Sequence, residues 1–294
     1  MWILFLSEQT LFFPDLSMKQ KNFLPFFCEK PPEKGDYFLQ EIKEDPDCRK
    51  IVEASFYCTA LSFLVSFILS SLFVSAFLST APEKSDTVFP DFSAGLIFFL
   101  PVIFIAIFTR LIMAKELSLP LRRRLFPLFP EKDFFPEKGL AEFLAEAFFY
   151  GIFLQIPVFL IGVIQKKILQ IFSISLPVQE RVLMIKDLLE KGDIFPILLF
   201  AVPVLFLAPL AEELFFRMIL FERLALTWKK EYAVWGTTIL FAMLHGNPGV
   251  FLPLFVVGYM CQKIYLRSHS ILTAVCLHFS FNISTMILLF LTKS

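Results

Sequence analysis

Residues 207–221 read LAPLAEELFFRMILF, an apolar run that holds two adjacent glutamates, Glu212 and Glu213, and one arginine, Arg217. A carboxylate at the centre of a bilayer costs about 2.5–3.5 kcal/mol even on lenient insertion scales. A segment that merely crosses a membrane gains nothing from such side chains. Either the stretch lies outside a membrane or its charges have a task, and the flanking sequence decides between the two.

That flanking sequence is apolar throughout. Of 294 residues, 57% are hydrophobic and 17% aromatic, and only 18% are charged; a soluble domain stands nearer a quarter charged. Forty phenylalanines exceed what one soluble core can enclose, so lipid is the expected solvent for much of the surface. Lys+Arg and Asp+Glu balance at 27 each, which gives no electrostatic footprint for nucleic acid and excludes it as an expected partner. Gly-rich phosphate loops and cysteine pairs at metal-binding spacing are absent. The cysteines (Cys28, Cys48, Cys58, Cys261, Cys276) are odd in number and scattered. They read as small hydrophobes rather than a disulfide framework. The opening MWILFLSEQT has no basic flank and no small-residue cleavage site, so it does not read as a cleaved signal peptide.

Runs without acid or base mark the membrane crossings. At about 20 apolar residues per crossing, they predict seven helices near 54–80, 92–114, 140–165, 194–224, 232–246, 250–266 and 270–291. The fifth and sixth are short and are divided by His245-Gly246-Asn247-Pro248-Gly249, a run of turn residues. An eighth span within 1–27 would have to tolerate Glu8, Asp15, Lys19 and Lys21. The expected fold is therefore all-α: a polytopic transmembrane helical bundle of about seven to eight spans with an intramembrane polar pocket. Residues 1–52 form an extramembrane N-terminal arm and 53–165 the first transmembrane helices. Residues 166–193 form an amphipathic interfacial segment, and 194–294 the helical core that carries the polar residues. Within 166–193, VQERVLMIKDLLEKG aligns Val178, Val182, Ile185 and Leu189 on one face and ends at Gly192, as a surface-lying helix would. A Pro-Glu-Lys triplet recurs at 32–34, 82–84, 130–132 and 136–138, suited to helix first turns at an interface. Basic residues of the connections favour a cytosolic N-terminus by fourteen to seven.

The polar groups at membrane depth fall on three helices. Glu213 and Arg217 are four apart, share a face and neutralise one another. Glu212 points about 100° away and is left without a partner. His245 ends the fifth helix, four residues after Phe241, and His278 and Asn282 lie one turn apart on the seventh. At 1.5 Å per residue, Glu212, His245 and Asn282 stand roughly 18–20 Å above the cytosolic ends of their helices and His278 roughly 10–12 Å. These depths are compatible with one pocket opening to the cytosol. His269, in the short SHS turn, reads as an ordinary interfacial residue.

Such a pocket suits two chemistries. Desolvation makes Glu212 a general base for a water, with His245 sharing that work, while His278 and Asn282 donate to a developing oxyanion. Alternatively, Glu212, His245 and His278 form a two-histidine, one-carboxylate site for a divalent metal such as zinc. Spacing is consistent with both. An HExxH, a GxGD and a serine in a GxSx context are all missing.

Glu-Glu-x-x-x-Arg at 212–217, Phe-x-x-x-His at 241–245 and His-x-x-x-Asn at 278–282 follow one another on successive apolar helices. In this order they resemble the CPBP family of intramembrane proteases. That group contains the type II CAAX prenyl endopeptidases and the bacterial proteins once filed as abortive-infection proteins. The resemblance covers about 190–290. It implies a multi-pass helical enzyme that hydrolyses peptide bonds of membrane-associated protein or peptide substrates, prenylated CAAX-type ones among them. By motif position Glu212 activates the water beside His245, His278 and Asn282 serve the oxyanion, and Glu213, Arg217 and Phe241 support them. The family is described both as metal-dependent and as using glutamate alone; a zinc reading leaves Asn282 without a clear role. Two other functions are compatible with the polar set. One is a proton- or cation-coupled transporter, which the missing internal repeat disfavours. The other is a non-proteolytic scaffold or bacteriocin-immunity protein.

Overall fold

A computed structural model describes residues 39–40, 42–80, 88–116, 139–174, 192 and 194–291. Their main helices are α1 (Pro46–Thr80), α2 (Val88–Met113), α3 (Leu140–Phe153), α4 (Gln155–Ile171), α5 (Ile194–Thr227), α6 (Lys230–Leu244), α7 (Phe251–Ser268) and α8 (Ile271–Leu291). No strand occurs among the described residues. Among the described residues, six helical elements are long and apolar enough to cross a membrane, with α3 and α4 counting as one element of 32 residues. The 15 residues of α6 are too few for a full crossing. The protein is an all-α, multi-pass membrane bundle, and each of the seven predicted helices occurs in it.

Where boundaries differ, local chemistry explains the difference. The first helix starts at Pro46 rather than near residue 54. Asp45 Oδ1 accepts the backbone N–H groups of Asp47 at 2.8 Å and Cys48 at 2.9 Å, and Pro46 follows it as the first helical residue. An aspartate cap before an N1 proline is a strong helix start. Cys48, Ile51 and Val52, with Leu39 and Ile42, are buried in the main core, so the described end of the 1–52 segment folds onto the bundle. The third predicted helix continues past residue 165 to Ile171, with a one-residue interruption at Leu154. The face formed by Val178, Val182, Ile185 and Leu189, and all four Pro-Glu-Lys triplets, lie outside the described residues.

Burial separates the axis of the bundle from its rim. Two thirds of the most apolar stretch of Pro248–Ser268 is buried, against 17% in the corresponding stretches of α1 and α2. Helix α7 is therefore the central helix, and α1 and α2 turn Leu61, Leu64, Phe104 and Phe108 outward. Helix α8 is drawn against α3 at Gly151. A Cβ there would meet Ser280 Oγ at 1.8 Å and Leu277 O at 2.4 Å, so only glycine permits this backbone approach.

Candidate active site

The glutamates sit on a short α-helical piece of α5, Ala208–Glu213, between two π-helical segments, Pro203–Leu207 and Leu214–Leu220. Wide turns of this kind concentrate at functional sites. Here the first one has a direct consequence for the polar network. Ala208 N–H reaches back five residues to Pro203 O, and the next residue, Pro209, has no N–H. The carbonyl of Val204 is thereby deprived of its helical donor. Asn282 of α8 supplies one, with Nδ2 at 3.0 Å from Val204 O. A carbonyl only accepts, so this contact fixes the amide orientation of Asn282. Its Oδ1 is buried and accepts no hydrogen bond from the described residues.

His278, one turn before Asn282, stands between the two glutamates. Its Nδ1 lies 2.8 Å from Glu213 Oε1, and its Nε2 lies 3.8 Å from Glu212 Oε2. The first is a hydrogen bond; the second is too long for one. Glu213 therefore has two partners. Its second oxygen forms the expected ion pair with Arg217, at 2.9 Å from Nε. Both side chains of that pair are buried, and Arg217 Nη2 also donates to Gly258 O at 2.9 Å. The Arg217–Glu213 pair thus holds the imidazole by Nδ1 and leaves Nε2 facing Glu212. Glu212 Oε2 accepts no hydrogen bond from the described residues, yet the side chain retains 19% exposure. A buried, unfilled acceptor beside a ring nitrogen, on a side chain whose remaining surface reaches solvent, is a place for water.

Phe241 joins the second histidine to this group. Its fully buried ring lies 4.8 Å from the Arg217 guanidinium, 4.9 Å from the His245 ring and 5.9 Å from the His278 ring. His245 closes α6, and its Nδ1 is 2.7 Å from Phe241 O. Because that partner can only accept, Nδ1 carries the proton and Nε2 is left as an acceptor. Each residue expected from sequence is therefore accounted for. Glu212, Glu213, Arg217 and His278 form one connected cluster, His245 is linked to it through Phe241, and Asn282, one turn after His278, binds Val204 O.

The geometry also tests the residues against a metal. Among the described residues, the acid, cysteine and histidine atoms that close to within 4.8 Å of one another belong to Glu213, Cys261 and His278. The trio Glu212, His245 and His278 does not form such a group. The set that does close fits an ion poorly. Two ligands of a tetrahedral zinc stand roughly 3.3 Å apart for bonds of about 2.0–2.1 Å, whereas Glu213 and His278 are already hydrogen-bonded at 2.8 Å. Arg217 further occupies the other Glu213 oxygen. The donors match a water held by Glu212 and His278 better than a resident dication.

What remains is the order of the groups along the chain: two glutamates and an arginine, then a histidine at a helix end, then a histidine and an asparagine. Residues 194–284 match the type II CAAX prenyl endopeptidase Rce1-like family. The match is to the group that the three motifs resemble, and it takes in α5, α6, α7 and most of α8, hence every site residue. The matched region thus lies within a multi-pass membrane protein, and α1–α4 lie outside it. Neither a curated protein nor a solved structure matches the chain.

Around this cluster lie partners that the sequence reading did not single out. Arg110 of α2 pairs with Glu222 of α5 at 2.7 Å, both fully buried, and also donates to Met218 O at 3.0 Å. Tyr265 of α7 donates to Glu222 at 3.2 Å, so three helices meet at this second ion pair. The available signal was mutual need: an arginine in one apolar helix and a further glutamate in another each call for a partner of opposite charge. Glutamines 155 and 165 of α4 also bind the site's elements, and nothing in the pattern of that helix announces them.

Proposed function

We propose that the protein is an intramembrane endopeptidase that hydrolyses peptide bonds of membrane-associated substrates, prenylated CAAX-type ones among them, with a water activated by Glu212. The observation that carries this reading is the unpartnered Glu212 Oε2, 3.8 Å from an imidazole whose other nitrogen is tied to Glu213. A water to one side of the line between Glu212 and His278 reaches both. Glu212 takes a proton from it as the oxygen attacks the substrate carbonyl, forming a tetrahedral oxyanion. As an imidazolium, with its Nδ1–H held by Glu213, His278 donates Nε2–H to that oxyanion beside the second N–H of Asn282, where preorganised donors act most strongly. Collapse of the intermediate breaks the C–N bond, and the departing amine receives the proton from Glu212. His245, held by Nδ1 to Phe241 O, presents Nε2 as an acceptor that orients the water. Arg217 and Glu213 keep His278 turned toward the reacting centre.

The basic-residue bias supports a cytosolic N-terminus, which puts the pocket within reach of substrates on that leaflet. Protease digestion of sealed vesicles carrying an N-terminal tag checks it: a tag on the outward surface contradicts this orientation. The enzyme reading is tested with the purified chain in detergent and a prenylated CAAX peptide, products being identified by mass. Cleavage that persists in a strong chelator is expected. Peptide left intact would refute the function, and cleavage abolished by chelator and restored by zinc would refute the metal-free route.

A further inference from the structure

The Rce1-like match begins at residue 194, yet a side chain from outside it holds the turn that follows His245. After α6 the chain reverses through Gly246 at φ +67°. Asn247 Oδ1 accepts Gly249 N–H at 2.8 Å and Val250 N–H bonds Asn247 O at 3.1 Å. These local bonds fix the shape of the turn but not its place in the bundle. Gln165 of α4, 6% exposed, supplies the place. Its Nε2 donates to Pro248 O, and its Oε1 accepts Leu252 N–H at 3.0 Å. Leu252 is the second residue of α7, and its amide belongs to the first turn, which has no intrahelical acceptor. One side-chain amide thus caps the central helix from a neighbouring one and ties the turn three residues beyond His245 to α4. Ten residues earlier on the same helix, Gln155 Nε2 lies 2.8 Å from each of Phe281 O, Ser284 Oγ and Thr285 Oγ1, on either side of Asn282.

We propose that Gln165 is a positioning residue for His245: its two hydrogen bonds set where the imidazole stands relative to the pocket. This rests on the peptidase reading above. Helix α4 then has a role in catalysis that the match to 194–284 does not cover, and Gln155 gives an internal comparison, since it grips α8 instead of the turn.

Gln165→Met keeps the side-chain length and removes both bonds. In the full chain in detergent, with a prenylated CAAX peptide as substrate, kcat should fall about 10- to 100-fold at unchanged KM, the scale of a misplaced catalytic group. In a His245→Ala background the same change should produce no further loss, because it acts through that imidazole. Hydrogen–deuterium exchange should rise across 246–252 and stay unchanged in α8. Gln165→Asn, too short to span both partners, should fall between Met and wild type and serves if the Met variant does not fold. Losses that add to those of His245→Ala, or full kcat despite faster exchange, would overturn the proposal; unchanged exchange would remove the clamp itself. A wild-type chain without peptidase activity would instead remove the function reading, and the catalytic role of Gln165 with it.

Discussion

Gly258→Ala perturbs the site through a single added carbon. A Cβ at this position of α7 would lie 2.8 Å from Phe241 Cδ1 and 3.3 Å from Cγ. Ordinary contact begins at 3.4 Å, so the ring must retreat by about 0.6 Å. It has nowhere to go. Phe216 lies edge-on at 5.1 Å, the Arg217 guanidinium at 4.8 Å and the His245 ring at 4.9 Å. Overpacking of such a core costs about 1–3 kcal/mol. The carbonyl of Gly258 also accepts from Arg217, so movement of the backbone in place of the ring would disturb the support of Glu213. Both histidines lean on this ring, and kcat should therefore fall about 10- to 100-fold at little change in KM. Thermal unfolding in detergent gives the first quantity and steady-state cleavage of a prenylated peptide the second. Adding Phe241→Leu should recover stability without recovering rate. A folded Gly258→Ala protein with wild-type kcat would refute the idea that Phe241 aligns the two imidazoles.

Three further outcomes are expected. Burial, and next the charge of Lys230, hold the His269 imidazole down to about 4 from an ordinary 6.5. The folded state keeps it neutral, so its contribution is intact above about 6.5 and is lost as pH falls toward 4, with about 2 kcal/mol gone near pH 5. His269→Asn, tolerated at φ +49°, should flatten that part of the pH–stability curve measured by unfolding in detergent. Glu222→Gln removes the carboxylate facing the buried Arg110 guanidinium and should cost about 3–5 kcal/mol in the same assay, whereas Arg110→Met with Glu222→Met should cost less than that single change. Asn282→Ala leaves Val204 O unsatisfied at about 1–3 kcal/mol. The cost should shrink in a Pro209→Ala background, which returns a backbone N–H to that carbonyl.

The helices were legible because lipid leaves a plain mark, long runs without charge, and the site because Glu212, Glu213, Arg217, His245 and His278 interrupt those runs. Less visible was how one carboxylate divides its oxygens. Assigning Glu213 to Arg217 by spacing was sound as far as it went, but the second oxygen takes His278 from a helix 65 residues away. Spacing along α5 also assumes a uniform helix. The π segments break that assumption, and only backbone geometry reveals that Pro209 leaves Val204 O for Asn282. The start of α1 was written locally in Asp45-Pro46, yet a reading guided by apolar runs passes over a cap set among charged residues. Glutamines 155 and 165 carry no charge pattern and no periodicity; their importance comes from the carbonyls and amides that the fold brings to them.

The most direct test is Glu212→Gln, which keeps size and hydrogen-bonding capacity but removes the base. With a prenylated CAAX peptide and the folded protein in detergent, kcat should fall roughly 100- to 10,000-fold at unchanged KM and unchanged unfolding temperature. Retention of wild-type kcat by that variant would contradict the assignment of Glu212 as the group that activates water.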